Sequence, residues 1–198
     1  TRRSSDLWAK PVPDALPHRP EPLPGEPATW DEVRSKAALA AASVPVPRHR
    51  VFSLAELERP DAALPAPFPL VLKAVGADLA HKTEVGGVAL NLASREAVLA
   101  AARGMSRLSG TFLVEEMASG TVAELIVGVA RDPQFGLFLT LGAGGIFVEL
   151  LRQTEQVLLP ASRADVSAAL ARLPLYKVLE GYRGKPGCDM TALVDAIT

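Results

Sequence analysis

Phe68–Leu92 reads FPLVLKAVGADLAHKTEVGGVALNL, and the reading of this stretch decides the fold. Two short apolar runs, PLVLKAV and GGVALNL, are rich in Val and Leu and bounded by breakers, which predicts two strands. Side chains alternate along a strand, so Lys73 shares a face with Val71 and Val75. A lysine on such a face is costly unless its charge meets an anion. Taken alone, Lys73 also has a plainer reading, with its stem along apolar surface and its ammonium in water. The loop between the runs carries Asp78, His81, Lys82, Thr83 and Glu84. Gly86 and Gly87 return the chain to the sheet, and without β carbons their backbone can approach a ligand closely. Strand lysine, polar loop and paired glycines suit a polyphosphate held by charge and backbone amides.

Working outward, Ser94 caps a helix in which Ala97, Val98, Ala101, Ala102 and Met105 recur at helical spacing. Upstream, Ser53 and Glu56 form a capping box for a short helix stopped by Pro60. Farther upstream Thr29 opens T-W-D-E, a capping box for a helix reaching about Ser43, and the prolines of VPVPRHRVF make the next stretch extended. Residues 1–27 hold seven prolines and read as an extended linker, with His18 solvated in it. Downstream, TFLVEEM, VAELIVGVA and LFLTL are expected as antiparallel strands. The first two are expected to form a hairpin at Ser119-Gly120, and Arg131-Asp132-Pro133-Gln134 a turn before the third. The strands IFVELL and EQVLLP, a helix from Ser162 to about Arg172, a short helix LYKVLEG and a helix capped by Asp189 complete the chain. A basic loop, Arg183 to Gly187, precedes the last helix.

At 198 residues the chain can bury a sizeable core in one domain or two small lobes. Its 21 Lys and Arg balance 22 Asp and Glu, which leaves no electrostatic footprint for nucleic acid. No apolar run is long enough to span a membrane, so neither nucleic acid nor membrane is expected as a partner. The single cysteine, Cys188, cannot form an internal disulfide, which points to a reducing cytoplasm.

LVLKAV followed by HKTEVGGVALNL closely resembles the nucleotide-binding part of the ADP-forming (NDP-forming) acyl-CoA synthetases, relatives of the succinyl-CoA synthetase beta subunit. DPQFGLFLTLGAGGIFVE is similar to the family block DPxFGP…GxGGIFVE, with Leu137 in place of proline. The helix before VPVPR resembles the family's lead-in, where Ser43 or Val44 stands for the usual glycine. The connection at Ser109-Gly110 is shorter than is usual there, and Gln153 and Val157 replace a common Asp and Arg. The resemblance implies an α/β, two-lobed ATP-grasp fold with mainly antiparallel sheets, incomplete at its C-terminal end. The implied layout is linker 1–27, a smaller lobe 28–115 and a larger lobe 116–198.

The same resemblance implies the site. Lys73 and Lys82 offset phosphate charge, and Gly86 and Gly87 bring backbone to the nucleotide. Glu115-Glu116-Met117 resembles the hinge where backbone groups read adenine. Glu124 and Glu115 are the candidates for ribose or adenine contact, since a carboxylate accepts two hydrogen bonds from a vicinal diol. By alternation alone either glutamate is a solvent-facing strand position. Gly142, Gly144 and Gly145 alone read as a tight turn needing positive φ. The resemblance lets Gly144 and Gly145 approach phosphates or a phosphoryl carrier, with Glu149 balancing charge nearby. His81 is implied as the phosphoryl relay, for which a partly unprotonated imidazole is suited; otherwise it orders its loop. ATP or ADP and Mg2+ are the implied cofactors, with the metal carboxylates expected beyond Thr198.

The implied reaction interconverts acyl-CoA, ADP and phosphate with carboxylate, CoA and ATP through acyl phosphate and phosphohistidine. CoA-binding and acyl-binding domains, in the same or a partner chain, are the implied partners. A reading from another class also stands: a non-catalytic nucleotide-sensing module of a synthetase-like protein, such as a fused protein acetyltransferase.

Overall fold

Strands supply the frame of both parts of this chain. The computed structural model describes residues 28–76, 86–145 and 153–198, in two units, 28–121 and 122–198. The linker, loop 77–85 and the expected IFVELL strand with Glu149 lie outside the described residues.

In the first unit β1 (His49–Ser53), β2 (Leu70–Ala74), β3 (Val88–Leu92) and β4 (Thr111–Glu116) form one sheet. Its order is β1-β4-β2-β3, with every neighbouring pair antiparallel. The two runs that opened the sequence reading therefore do pair, as β2 and β3. The expected hairpin at Ser119-Gly120 does not form: β4 lies between β1 and β2, and the next strand belongs to another sheet. The reason is in β4 itself. Phe112, Leu113 and Val114 are consecutive and all fully buried, which requires cover on both faces and neighbours on both edges.

One face of this sheet packs on α2 (Leu54–Glu58) and α3 (Arg95–Met105). Leu70, Leu72, Phe112 and Val114 meet Phe52, Leu57, Val98 and Ala102 there. Full burial of each phenylalanine stabilises by about 2–3 kcal/mol. The Ser53–Glu56 capping box forms, and the Ser94 side chain accepts from the Ala97 amide. α1 (Glu32–Ala41) differs from expectation at its start: Asp31, not Thr29, is the N-cap. Its Oδ1 accepts from the Arg34 amide at 2.7 Å, and a carboxylate there also meets the positive end of the helix dipole.

The end of α1 explains the missing glycine. Ser43 N–H donates to Ala40 O and Val44 N–H to Leu39 O, the paired bonds of a Schellman cap. Ser43 itself adopts φ 63, so it, and not Val44, stands in the left-handed position that favours glycine. Ser43→Gly is expected to raise stability by about 0.5–1 kcal/mol, because relief of the left-handed cost outweighs the added freedom of the unfolded chain. A urea midpoint at or below that of the parent would contradict this.

In the second unit β5 (Leu125–Asp132), β6 (Gly136–Ala143) and β7 (Thr154–Leu158) form an antiparallel sheet in that order. Leu139 and Leu141 pack on Val166, Ala169 and Leu170 of α4 (Arg163–Arg172) and Val194 of α6 (Met190–Ile197). Val157 is partly buried against the same cluster, so an apolar residue at that departure joins the core. The expected turn between β5 and β6 is present. Asp132 Oδ1 accepts from Gln134 N at 2.7 Å and Phe135 N at 2.9 Å, and Gly136 leaves the turn at φ 85. The amides of Phe135 and Gln134 hold the Asp132 carboxyl below its ordinary range. α5 (Tyr176–Leu179) leads to a hairpin of β8 (Gly181–Tyr182) and β9 (Lys185–Pro186). Of the expected basic loop only Arg183 and Gly184, both at positive φ, form its turn, and Lys185–Pro186 is strand. Among the described residues no helix is long and apolar enough to cross a membrane.

Candidate functional site

Strand alternation sends Leu70, Leu72 and Ala74 of β2 into the core and leaves Val71 and Lys73 on the opposite face. In β4 it leaves Leu113 and Glu115 on that same face. The register sets Val71 opposite Glu115 and Lys73 opposite Leu113, which makes Lys73 and Glu115 diagonal neighbours. Lys73 Nζ lies 2.5 Å from Glu115 Oε1 and 2.6 Å from Glu32 Oε1 on α1.

α1 also contributes a second cation. Lys36 Nζ stands 2.9 Å from Glu115 Oε2 and 3.5 Å from Glu32 Oε1. Charges of alternate sign therefore close a circuit: Lys73, Glu115, Lys36, Glu32. Glu115 is only 4% exposed, so the solvent-facing alternative for this residue is overturned; α1 lies over that face of the sheet. Among the described residues its Oε2 accepts no hydrogen bond, and the contact with Lys36 is ionic. Burial by itself would lower the Lys73 pKa, but hydrogen bonds and charge from Glu115 and Glu32 together leave it raised. An ammonium has three donors, and Lys73 directs two at Glu115 and Glu32. The third has no partner among the described residues and can take one more anionic oxygen.

The paired glycines return the chain beside this lysine. Gly87 O accepts from Ala74 N at 2.8 Å, and Gly86 turns at φ 74. His81 and Lys82, between Lys73 and Gly86, lie outside the described residues. Met117 follows β4 directly and is half-buried. Its neighbour Glu116 is gripped by Arg48 through two bonds, of 2.9 and 3.0 Å, which hold the carboxyl below its ordinary range.

In the second unit Glu124, Gly144 and Gly145 are brought together. Gly144 N–H donates to Glu124 O at 2.7 Å, and a β carbon at residue 144 would stand 3.0 Å from the Glu124 carbonyl carbon. At Gly145, which has φ 61, the Glu124 carboxylate occupies the place a β carbon would take. Of the expected positive-φ turn only Gly145 has the left-handed backbone, Gly142 lying within β6, and the absence of a side chain at Gly144 and Gly145 lets Glu124 lie against the backbone. Gly142 is buried in β6 with Thr154 packed on its open side.

Glu32 and Lys36 were missed as site residues by sequence reasoning. Their signal was an opposite-charge pair four residues apart on a helix otherwise rich in alanine. Among the described residues no three His, Cys, Asp or Glu side chains gather as a metal site.

Residues 25–198 match the family of ATP-grasp domains. The chain belongs to the ATP-grasp family. This ATP-grasp chain is 34% identical over 148 residues to an acetate–CoA ligase [ADP-forming] I of Archaeoglobus fulgidus, covering 71% of this chain and 22% of that protein. It is 30% identical over 174 residues to the beta subunit of acetate–CoA ligase [ADP-forming] I of Pyrococcus furiosus, covering 84% of this chain and 75% of the subunit. The chain thus spans about a fifth of the first relative's length and three quarters of the second's. Among solved structures it is similar to dinucleotide forming acetyl-coenzyme A synthetase 1 of Ca. Korarchaeum cryptofilum, in complex with coenzyme A, Ca-AMPCP and HgCl+. The TM-score is 0.75 at 35% identity, covering 85% of this chain and 76% of that one. A second structure of that protein, TM-score 0.69 at 36% identity and covering 84% and 76% of the two chains, holds coenzyme A and Mg-AMPPCP. The antiparallel sheets flanked by helices agree with the expected α/β ATP-grasp fold.

Proposed function

We propose that this ATP-grasp chain is the nucleotide-binding part of an ADP-forming acyl-CoA synthetase. The reaction interconverts acyl-CoA, ADP and phosphate with carboxylate, CoA and ATP through a phosphohistidine. The observation that carries the reading is Lys73: a strand lysine held by two carboxylates on the face away from the core, with one donor unspent among the described residues. Relatives named as ADP-forming acetate–CoA ligases, and a solved neighbour that holds AMPPCP, support it.

In this reading Lys73 and Lys82 take phosphate oxygens, and Gly86 and Gly87 offer backbone. Backbone groups at Glu115 and Met117 read the adenine edge, while the Glu115 carboxylate stays with Lys73 and Lys36. Glu124 accepts from the ribose hydroxyls, and Gly144 and Gly145 let backbone approach the phosphates. His81 carries the phosphoryl group. Magnesium accompanies the nucleotide in the solved neighbour. No group of the described residues fits that ion. CoA and acyl recognition belong to further domains, in the same or a partner chain, and the enzyme works in the cytoplasm.

Calorimetry tests the nucleotide assignments together. Lys73→Ala is expected to weaken ATP and ADP at least tenfold, about 1.4 kcal/mol, with a smaller loss for AMP. In the same titrations Glu124→Ala is expected to erase the preference for ATP over its 2′,3′-dideoxy analogue. Parent-like ATP affinity in Lys73→Ala would sink the phosphate assignment, and an unchanged sugar preference would sink that of Glu124.

A further inference from the structure

The four-membered charge circuit reaches beyond the residues that hold nucleotide, because half of it comes from α1. Lys73 does not face a phosphate site alone. Glu115 and Glu32 both lie within 2.6 Å of its ammonium, so those three side chains sum to one negative charge. A negative cluster repels the polyphosphate that Lys73 is there to receive. Lys36, 2.9 Å from Glu115 and 3.5 Å from Glu32, returns the sum to zero. It also occupies the second carboxylate oxygen of Glu115, leaving the first to orient Lys73. Lys36 is 12% and Lys73 21% exposed, so solvent screens this circuit less than it screens a surface pair.

We propose that α1 tunes the affinity of the phosphate site through Lys36 and Glu32, with opposite signs. Lys36 is a positioning residue: it neutralises and orients Glu115, so that Lys73 presents its remaining donor to the nucleotide. Glu32 is an internal competitor, an anion already seated where a phosphate oxygen would gain from the same ammonium. The inference rests on the reading of Lys73 as the phosphate contact. It adds two residues of α1 that set how strongly phosphate charge is felt.

The test is a set of calorimetric titrations on Lys36→Met, Lys36→Arg, Glu32→Gln and the double variant K36M/E32Q, with Lys73→Ala alongside. ATP, ADP, AMP and adenosine are compared at fixed magnesium and ionic strength. Lys36→Met is expected to weaken ATP about tenfold, with the loss falling from ATP through AMP and vanishing for adenosine. Lys36→Arg keeps the charge and stays within about threefold of the parent. Glu32→Gln keeps the shape, removes the competitor and tightens ATP by about threefold to tenfold. The double variant restores the charge sum and returns close to the parent. If α1 merely props up the fold, both single variants weaken every ligand alike, adenosine included, and the inference is overturned. Should Lys36→Met fail to fold, the sign of the Glu32→Gln effect decides by itself, and unchanged or weaker ATP binding overturns the proposal. If Lys73→Ala loses ATP affinity while the α1 variants show no opposed effects, only this inference falls. If Lys73→Ala binds ATP like the parent, the reading beneath it falls too.

Discussion

Glu115→Ala is expected to destabilise the first unit by about 3 kcal/mol, the lower end for removing one partner of a buried ion pair. Glu115 is the most buried member of the circuit and the anion shared by Lys73 and Lys36. Without it, among the described residues two partly buried ammoniums have only Glu32 between them, and each loses its shorter contact. The pH dependence follows from the sign of the Lys73 shift. Its pKa is raised in the fold, so the pairing stabilises fully below the ordinary lysine value of 10.5 and is lost as pH rises through the raised one. The deficit of Glu115→Ala should therefore be constant through neutral pH and narrow only in strongly alkaline solution. Urea unfolding monitored by circular dichroism at pH 7 and pH 11 measures both. A loss below about 1 kcal/mol at pH 7 would mean that Glu32 alone satisfies both lysines. Glu115→Gln, which keeps the shape and one acceptor, should fall between parent and alanine variant.

The second large effect concerns chemistry. In the complete enzyme His81→Asn is expected to lose phosphoryl transfer by more than about a thousandfold while still binding nucleotide. In the proposed step an imidazole nitrogen forms a bond to the γ-phosphorus of ATP. The bond from that phosphorus to the β,γ-bridging oxygen breaks, and ADP leaves with the electron pair. Asparagine preserves size and hydrogen bonding but has no nucleophilic ring nitrogen. Lys73 and the glycines are untouched, so ATP affinity should stay within about threefold of the parent. Labelled phosphate from ATP, trapped in an acid-labile and base-stable protein linkage, is the readout. Equal labelling of parent and variant would remove His81 as the acceptor. Nucleotide binding without labelling even in the parent enzyme would favour the nucleotide-sensing module over the synthetase.

Some of this was settled by short-range chemistry and was legible in the chain. Ser53 with Glu56, Ser94, Ser162 and Asp189 each cap the helix they precede, because a cap needs only a few neighbouring residues to form. That the two runs flanking the loop are strands, and that the chain turns at Asp132, was legible for the same reason. So was the face carrying Lys73, since alternation is a property of the strand alone. Even Ser43, a departure from the family's glycine, kept the left-handed conformation that the helix end demands.

What the sequence by itself left open was decided at long range. TFLVEE could close a hairpin with the strand that follows it or cross back into an earlier sheet. The crossing prevails because Phe112, Leu113 and Val114 are buried on both faces only between β1 and β2. That one placement brings Glu115 to Lys73, residues 42 positions apart in the chain, and α1 then lies over them with Glu32 and Lys36. Local pattern determined most of the helices, strands and caps, Thr29 excepted, and that a lysine faces away from the core. Only the tertiary structure determined which carboxylates it meets, because the partners of a buried charge are chosen by packing and not by spacing in sequence.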